Sequence, residues 1–177
     1  APVNLPSCSS LSDIQTAYNA WAGGFTVSGG CSPTTNITSI PTLPSGIACG
    51  GSISFTFTAS NSPGYCADNA ECTSTFTVSN APALVFPQPE NRTISSCLTQ
   101  AQVAQAFVEW RSSIIGSVSG GCHTQVTHNA TGAPDRCGGS LEVRFRANSD
   151  CETITRYATF TVPNAPDLVV SCPSPVN

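Results

Sequence analysis

The chain spells out one set of landmarks twice, so its fold must be one that can be built two times over in 177 residues. Ser28-Gly29-Gly30-Cys31 returns as Ser119-Gly120-Gly121-Cys122, and Cys49-Gly50-Gly51-Ser52 as Cys137-Gly138-Gly139-Ser140. Thr75-Phe76-Thr77-Val78 with Asn80-Ala81-Pro82 returns as Thr159-Phe160-Thr161-Val162 with Asn164-Ala165-Pro166. Matched landmarks lie between 91 residues (Cys31 to Cys122) and 84 residues (Phe76 to Phe160) apart, so small insertions separate two copies of one unit. A repeat this long is large enough for each copy to be a domain. The expected boundaries are 1–86 and 87–177. Pro175-Val176-Asn177 matches Pro2-Val3-Asn4 two repeat lengths on, so residues 172–177 are expected to begin a further copy and the chain to be a piece of a longer tandem.

The residue mix narrows the setting. Ten cysteines, with neither Lys nor Met, point to an oxidising location outside the cytoplasm. The cysteines are not in C-x2-C pairs, which speaks against zinc. A net charge of −4 on a sparsely charged chain argues against a nucleic-acid partner, which needs a basic face. No apolar run approaches the length of a membrane span.

Each copy reads as one helix followed by strands. Ile14, Ala17, Tyr18 and Trp21 form a stripe at helical spacing, repeated by Val103, Ala106, Phe107 and Trp110. Helices are therefore expected over 10–21 and 99–110, with Thr99 and Gln102 at capping-box spacing and Ser10 with Asp13 a weaker version. Ile53, Phe55 and Phe57 alternate with small polar residues, as do Leu141, Val143 and Phe145 with charged ones, the mark of half-buried strands. Phe76 and Val78, with Phe160 and Val162, predict a second strand, and Leu84-Val85 with Leu168-Val169 a short third. Several short antiparallel strands suggest a mainly β fold, two tandem immunoglobulin-like β-sandwiches, each with one helix packed at an end or crossing between sheets. Phe86-Pro87-Gln88-Pro89-Glu90 predicts a stiff, semi-extended linker.

Four cysteines recur: Cys8, Cys31, Cys49 and Cys66 against Cys97, Cys122, Cys137 and Cys151. Four allow three connectivities. The favoured set is Cys31–Cys49 and Cys122–Cys137, stapling the glycine-flanked loop, with Cys8–Cys66 and Cys97–Cys151. Each closure is worth about 3–4 kcal/mol. Cys72 aligns with Arg156 and Cys172 with Gln88, so the second copy lacks both positions together. That suggests the two positions are partners, with Cys172 bonding forward into the next copy. A competing reading joins Cys66 to Cys72 and leaves Cys8 to another mate.

The order Cys, helix, Trp, Ser-Gly-Gly-Cys, Cys-Gly-Gly, alternating strand, Cys, Thr-Phe-Thr-Val, Asn-Ala-Pro resembles the tandem hyalin-repeat-like (HYR-like), four-cysteine modules of giant Bacteroidetes cell-surface adhesins, the SprB-type gliding adhesins among them. The resemblance covers both copies nearly end to end. It implies an exported, array-forming protein on the bacterial outer surface, with neighbouring repeats of the same chain as partners and no catalytic residues or cofactor. The cysteines missing at Arg156 and Gln88 depart from the pattern.

An active site shared by the copies should appear in both, and the sequence offers none. His123 and His128 occur only in the second copy, five apart, so solvated loop histidines are the expectation over a metal pair. Asp68 with Glu71, and Asp150 with Glu152, lack the dense oxygen spacing of a calcium loop. Trp21 and Trp110 end an apolar stripe, which favours core packing over sugar stacking. Asn36-Ile37-Thr38, Asn91-Arg92-Thr93 and Asn129-Ala130-Thr131 match the glycosylation acceptor pattern but do not align between copies. The expected function is a non-catalytic, semi-rigid spacer in a surface adhesin. The alternative is a module that binds surface polysaccharide, or an accessory domain of a secreted enzyme.

Overall fold

The computed structural model describes residues 1–64 and 68–172. The chain forms two compact units. Unit 1 comprises Ala1–Ala83 with two short loops of the second repeat, Gly121–His123 and Ser149–Cys151. Unit 2 comprises Leu84–Gly120, Thr124–Asn148 and the residues from Glu152 onward.

Unit 1 contains β1 (Val3–Leu5), α1 (Leu11–Gly23), β2 (Thr34–Thr35), two single 3-10 turns (Ile37–Ser39 and Ile47–Cys49), β3 (Gly51–Ser60) and β4 (Asn69–Val78). The strands make one sheet in the order β1-β4-β3-β2. Its centre is an antiparallel hairpin in register from Gly51 opposite Val78 to Ser60 opposite Asn69. β1 joins β4 in parallel, Val3 opposite Phe76. The two-residue period of β3 buries Ile53, Phe55, Phe57 and Ala59 and leaves the residues between them exposed. α1 lies over that apolar face. Its N-cap Ser10 accepts from the Asp13 amide, and its buried stripe is Ile14, Tyr18 and Trp21. The rings of Tyr18 and Trp21 both meet Phe76, at 5.8 and 5.9 Å between centroids. Full burial of each such side chain favours folding by about 1.5–3 kcal/mol.

Unit 2 repeats the plan with β5 (Arg92–Thr93), α2 (Gln100–Gly116), β6 (Gln125–His128), β7 (Gly139–Asn148) and β8 (Thr153–Val162). The sheet order is β5-β8-β7-β6, with β5 parallel to β8 and the other neighbours antiparallel. α2 has 17 residues against 13 in α1, because Gly23-Gly24 ends α1 where α2 runs on through Arg111-Ser112-Ser113. Thr99 and Gln102 form both halves of a capping box. Val103, Phe107, Trp110 and Ile114 pack on Val143, Phe145, Ala147, Ala158, Phe160 and Val162.

The mainly β character, both helices and the alternating hairpins match the sequence expectation. The second layer differs from an immunoglobulin-like sandwich: among the described residues each sheet faces a helix, not another sheet. The helix lies on the sheet face and not at an end, because its apolar stripe packs against the apolar side of the hairpin. The short third strand is reduced to one antiparallel bridge, Val85 to Ser119, and Leu168-Val169 is exposed outside any strand. The proline-rich stretch is no free linker either. Phe86 is 3% exposed in the core of unit 2, the Gln88 amide donates to the Tyr157 carbonyl, and the Glu90 carbonyl accepts from the Trp110 indole.

Candidate functional site

The recurring motifs converge on the two ends of each hairpin. At the end where β3 begins and β4 finishes, Cys49-Gly50-Gly51 meets Ser79 to Ala81, with the Ala81 amide donating to the Cys49 carbonyl. Gly50 has φ +118°, and a Cβ there would run into the Asn80 side chain. Gly138, at φ +134°, stands in the same relation to Asn164. A side chain is thus excluded twice over, by the backbone conformation and by the asparagine. Cys-Gly-Gly and Asn-Ala-Pro repeat together because they are two halves of one contact.

The opposite end carries Ser-Gly-Gly-Cys. The Cys31 carbonyl accepts from the Ser62 amide and the Cys31 amide donates to Asn61 Oδ1, both just past the end of β3. Likewise the Cys122 carbonyl accepts from the Asp150 amide, in the turn between β7 and β8. Cys8 lies at the first end, because β1 runs parallel to β4 and leaves the sheet beside Val78. Each repeat therefore carries cysteines at both ends of a ten-residue hairpin, about 30 Å apart at 3.3 Å per residue.

This geometry corrects the expected disulfides. Cys31 and Cys49 sit at opposite ends of the hairpin, as do Cys122 and Cys137, and a bridge needs Cα atoms within about 7 Å. Cys97 follows β5, beside the end of β8, whereas Cys151 precedes the start of β8, so that pair fails for the same reason. The bonds present are Cys8–Cys122 and Cys49–Cys151, with Cα–Cα distances of 5.1 and 5.5 Å. Each joins a cysteine of the first repeat to one of the second, and all four residues belong to unit 1. The expected Cys8–Cys66 pair is displaced by Cys8–Cys122, and Cys66 lies outside the described residues. Cys31, Cys72, Cys97, Cys137 and Cys172 are exposed thiols.

The remaining candidates resolve into structure. Trp21 and Trp110 are each 5% exposed. The Trp21 indole donates to Ser74 Oγ, which donates to the Ala1 carbonyl; the Trp110 indole donates directly to Glu90, Ala1's repeat-mate. Neither indole is a sugar platform. His123 Nδ1 lies 2.7 Å from Asp150 Oδ2 on the surface. His128 packs against Phe145 at the end of β6, where burial, then the Arg111 charge, holds its pKa below the ordinary value. The Asp135 carboxyl is held low chiefly by the Cys137 amide, which donates to it at 2.7 Å. No group of three His, Cys, Asp or Glu side chains suited to a metal ion occurs among the described residues, the Asp68/Glu71 and Asp150/Glu152 pairs included. The three acceptor-pattern asparagines serve the sheet edges: Asn36 Oδ1 accepts from Thr58, Asn91 Oδ1 from Thr159 and Asn129 Oδ1 from Arg144. No helix among the described residues is long and apolar enough to cross a membrane.

No family model matches the chain, and no curated protein does. Among solved structures, mouse protocadherin-24 EC1-3 aligns at 14% identity over 94% of this chain and 63% of that one, with a TM-score of 0.27. That score is too low to equate the two folds.

Proposed function

We propose that this chain is a non-catalytic, extracellular piece of a tandem-repeat surface adhesin, whose work is reach and mechanical continuity. The observation that supports it most is covalent: both disulfides run from the first repeat to the second. Tension applied along such a chain crosses the Cys8–Cys122 bridge and bypasses the residues between those two cysteines, so only the segments outside that span carry load. The modules are β-rich, with a helix where a sandwich would have its second sheet. Ten cysteines fit an oxidising exterior. The chemistry-bearing side chains of one copy are not matched in the other, which favours a spacer over an enzyme. Burial of both tryptophans removes the aromatic platforms that a polysaccharide-binding reading would have used.

Two measurements test the reading. Antibody raised against the chain should label intact cells of its source and reduce their attachment to glass; labelling only after permeabilisation overturns it. Single-molecule pulling from the termini should extend about 64 residues when oxidised, roughly 220 Å, against about 620 Å after reduction at about 3.5 Å per residue. Equal lengths in the two states would remove the mechanical argument.

A further inference from the structure

Unit 2 completes its core with residues that precede its own helix and sheet: Leu84 and Phe86 are 5% and 3% exposed. Arg156 Nε donates to the Phe86 carbonyl, and Gln88 donates to the Tyr157 carbonyl. The repeat-mates of Leu84 and Phe86 are Leu168 and Val170, which are 99% and 84% exposed. The repeat-mates of Arg156 and Tyr157 are Cys72 and Thr73. These two, with Ala17, Trp21, Phe25 and Ser74, line a groove of about 550 Å³ on unit 1. One repeat thus displays an unburied apolar segment, and the other displays the place where such a segment sits. Sizes trade across the pair. Unit 2 holds Phe86 and Ile114 in one core, whereas unit 1 has Phe25 at Ile114's position and the displayed segment offers Val170.

We propose that Leu168–Cys172 docks into the groove beside Trp21 of a second copy of this chain, and that two disulfides, Cys97–Cys31 and Cys172–Cys72, lock the junction. The first bond repeats one already formed: Cys97 and Cys31 are the repeat-mates of Cys8 and Cys122. The second follows from the register. Extending β5 against β8 from Arg92 opposite Phe160 brings Gln88, the mate of Cys172, opposite Arg156, the mate of Cys72. Each bond forms as two thiols give up two protons and two electrons to a disulfide oxidant, which leaves as two thiols. The inference stands on the geometry of the repeats, whether or not the parent protein is an adhesin.

The test is reoxidation of the purified 177-residue chain in a glutathione redox buffer at rising protein concentration, read by light scattering and non-reducing peptide mapping. A concentration-dependent ladder is expected, with Cys97–Cys31 and Cys172–Cys72 peptides as its new cross-links. Leu168→Asp with Val170→Asp should lower ladder yield by about tenfold or more, since the docked apolar area is lost. That variant changes exposed residues only, so the tryptophan-monitored melt of the single chain should not move. Cys72→Ser should abolish the Cys172 cross-link and spare the other. A chain that stays monomeric, a ladder with scrambled pairings, or one indifferent to the two aspartates overturns the proposal.

Discussion

Units 1 and 2 share a plan, a register and most motifs, yet they are finished differently. Phe57 in unit 1 is 6% exposed and Phe55 7%, whereas their mates Phe145 and Val143 are fully buried. Leu84 and Phe86 help to fill the unit 2 core, and the positions that would match them in unit 1 fall ahead of Ala1. Unit 1 takes its reinforcement elsewhere, since all four bridged cysteines lie in it. Among the described residues, unit 2 is filled by apolar packing from Leu84 and Phe86, whereas unit 1 holds the covalent bonds between the repeats. Small domains reach adequate stability by either route.

Reduction should expose this contrast most strongly. The bridges close spans of 114 and 102 residues, for which the loop-entropy estimate is about 4–5 kcal/mol each. The spans overlap, so the two contributions do not add in full. Melting followed by Trp21 in a Trp110→Phe variant should fall far on adding a phosphine reductant. Melting followed by Trp110 in a Trp21→Phe variant should fall much less. Equal shifts would show that the bridges brace both units alike.

Phe86→Ala should invert the pattern. It removes a ring from the core of unit 2 and leaves a cavity, a loss of about 3–5 kcal/mol. The Trp110 transition should drop while the Trp21 transition holds. If both fell together, the two units would be one cooperative body.

Ser74→Ala probes a finer asymmetry. The Trp21 indole reaches the Ala1 carbonyl through Ser74, whereas Trp110 reaches Glu90 directly and has Ala158 at the serine's position. The substitution leaves a buried indole N–H without its acceptor, costing about 1–3 kcal/mol in unit 1 alone. No change in the Trp21 melt would mean that water replaces the hydroxyl.

How much of this could be read in the sequence follows from period and register. The helix stripes and the alternation of β3 and β7 are local signals, and both elements stand where the spacing predicts them. β1 and β5, of three and two residues, carry no period of their own and are held by parallel pairing to a strand more than 65 residues away. The disulfides escape the sequence for a related reason. Stapling the glycine-flanked loop predicts Cys31–Cys49, but the polarity of the hairpin puts those residues at opposite ends. Only the register reveals that. The repeat itself held the clue to the linker: Leu84 and Phe86 recur as Leu168 and Val170, too apolar for a solvated connector.

The smallest expected effect concerns pH. His128 sits opposite Phe145, and burial followed by the Arg111 charge lowers its pKa from 6.5. Unfolding restores the higher value, so the unfolded chain binds a proton that the folded unit 2 resists. Stability from this group is therefore full above about pH 6.5 and is lost as pH falls below it, through the lowered folded value. The first repeat avoids the problem. Continuing β2 by two residues places Ile37 opposite Phe57, and Ile37 packs against the unit 1 core. His128→Ile should copy that solution. Between pH 7.5 and 5 the Trp110 melt of the variant should decline less than that of the parent, by about a degree or two. The Trp21 melt should keep its pH profile. An unchanged Trp110 profile would place the pH response of unit 2 in its carboxylates and not in this histidine.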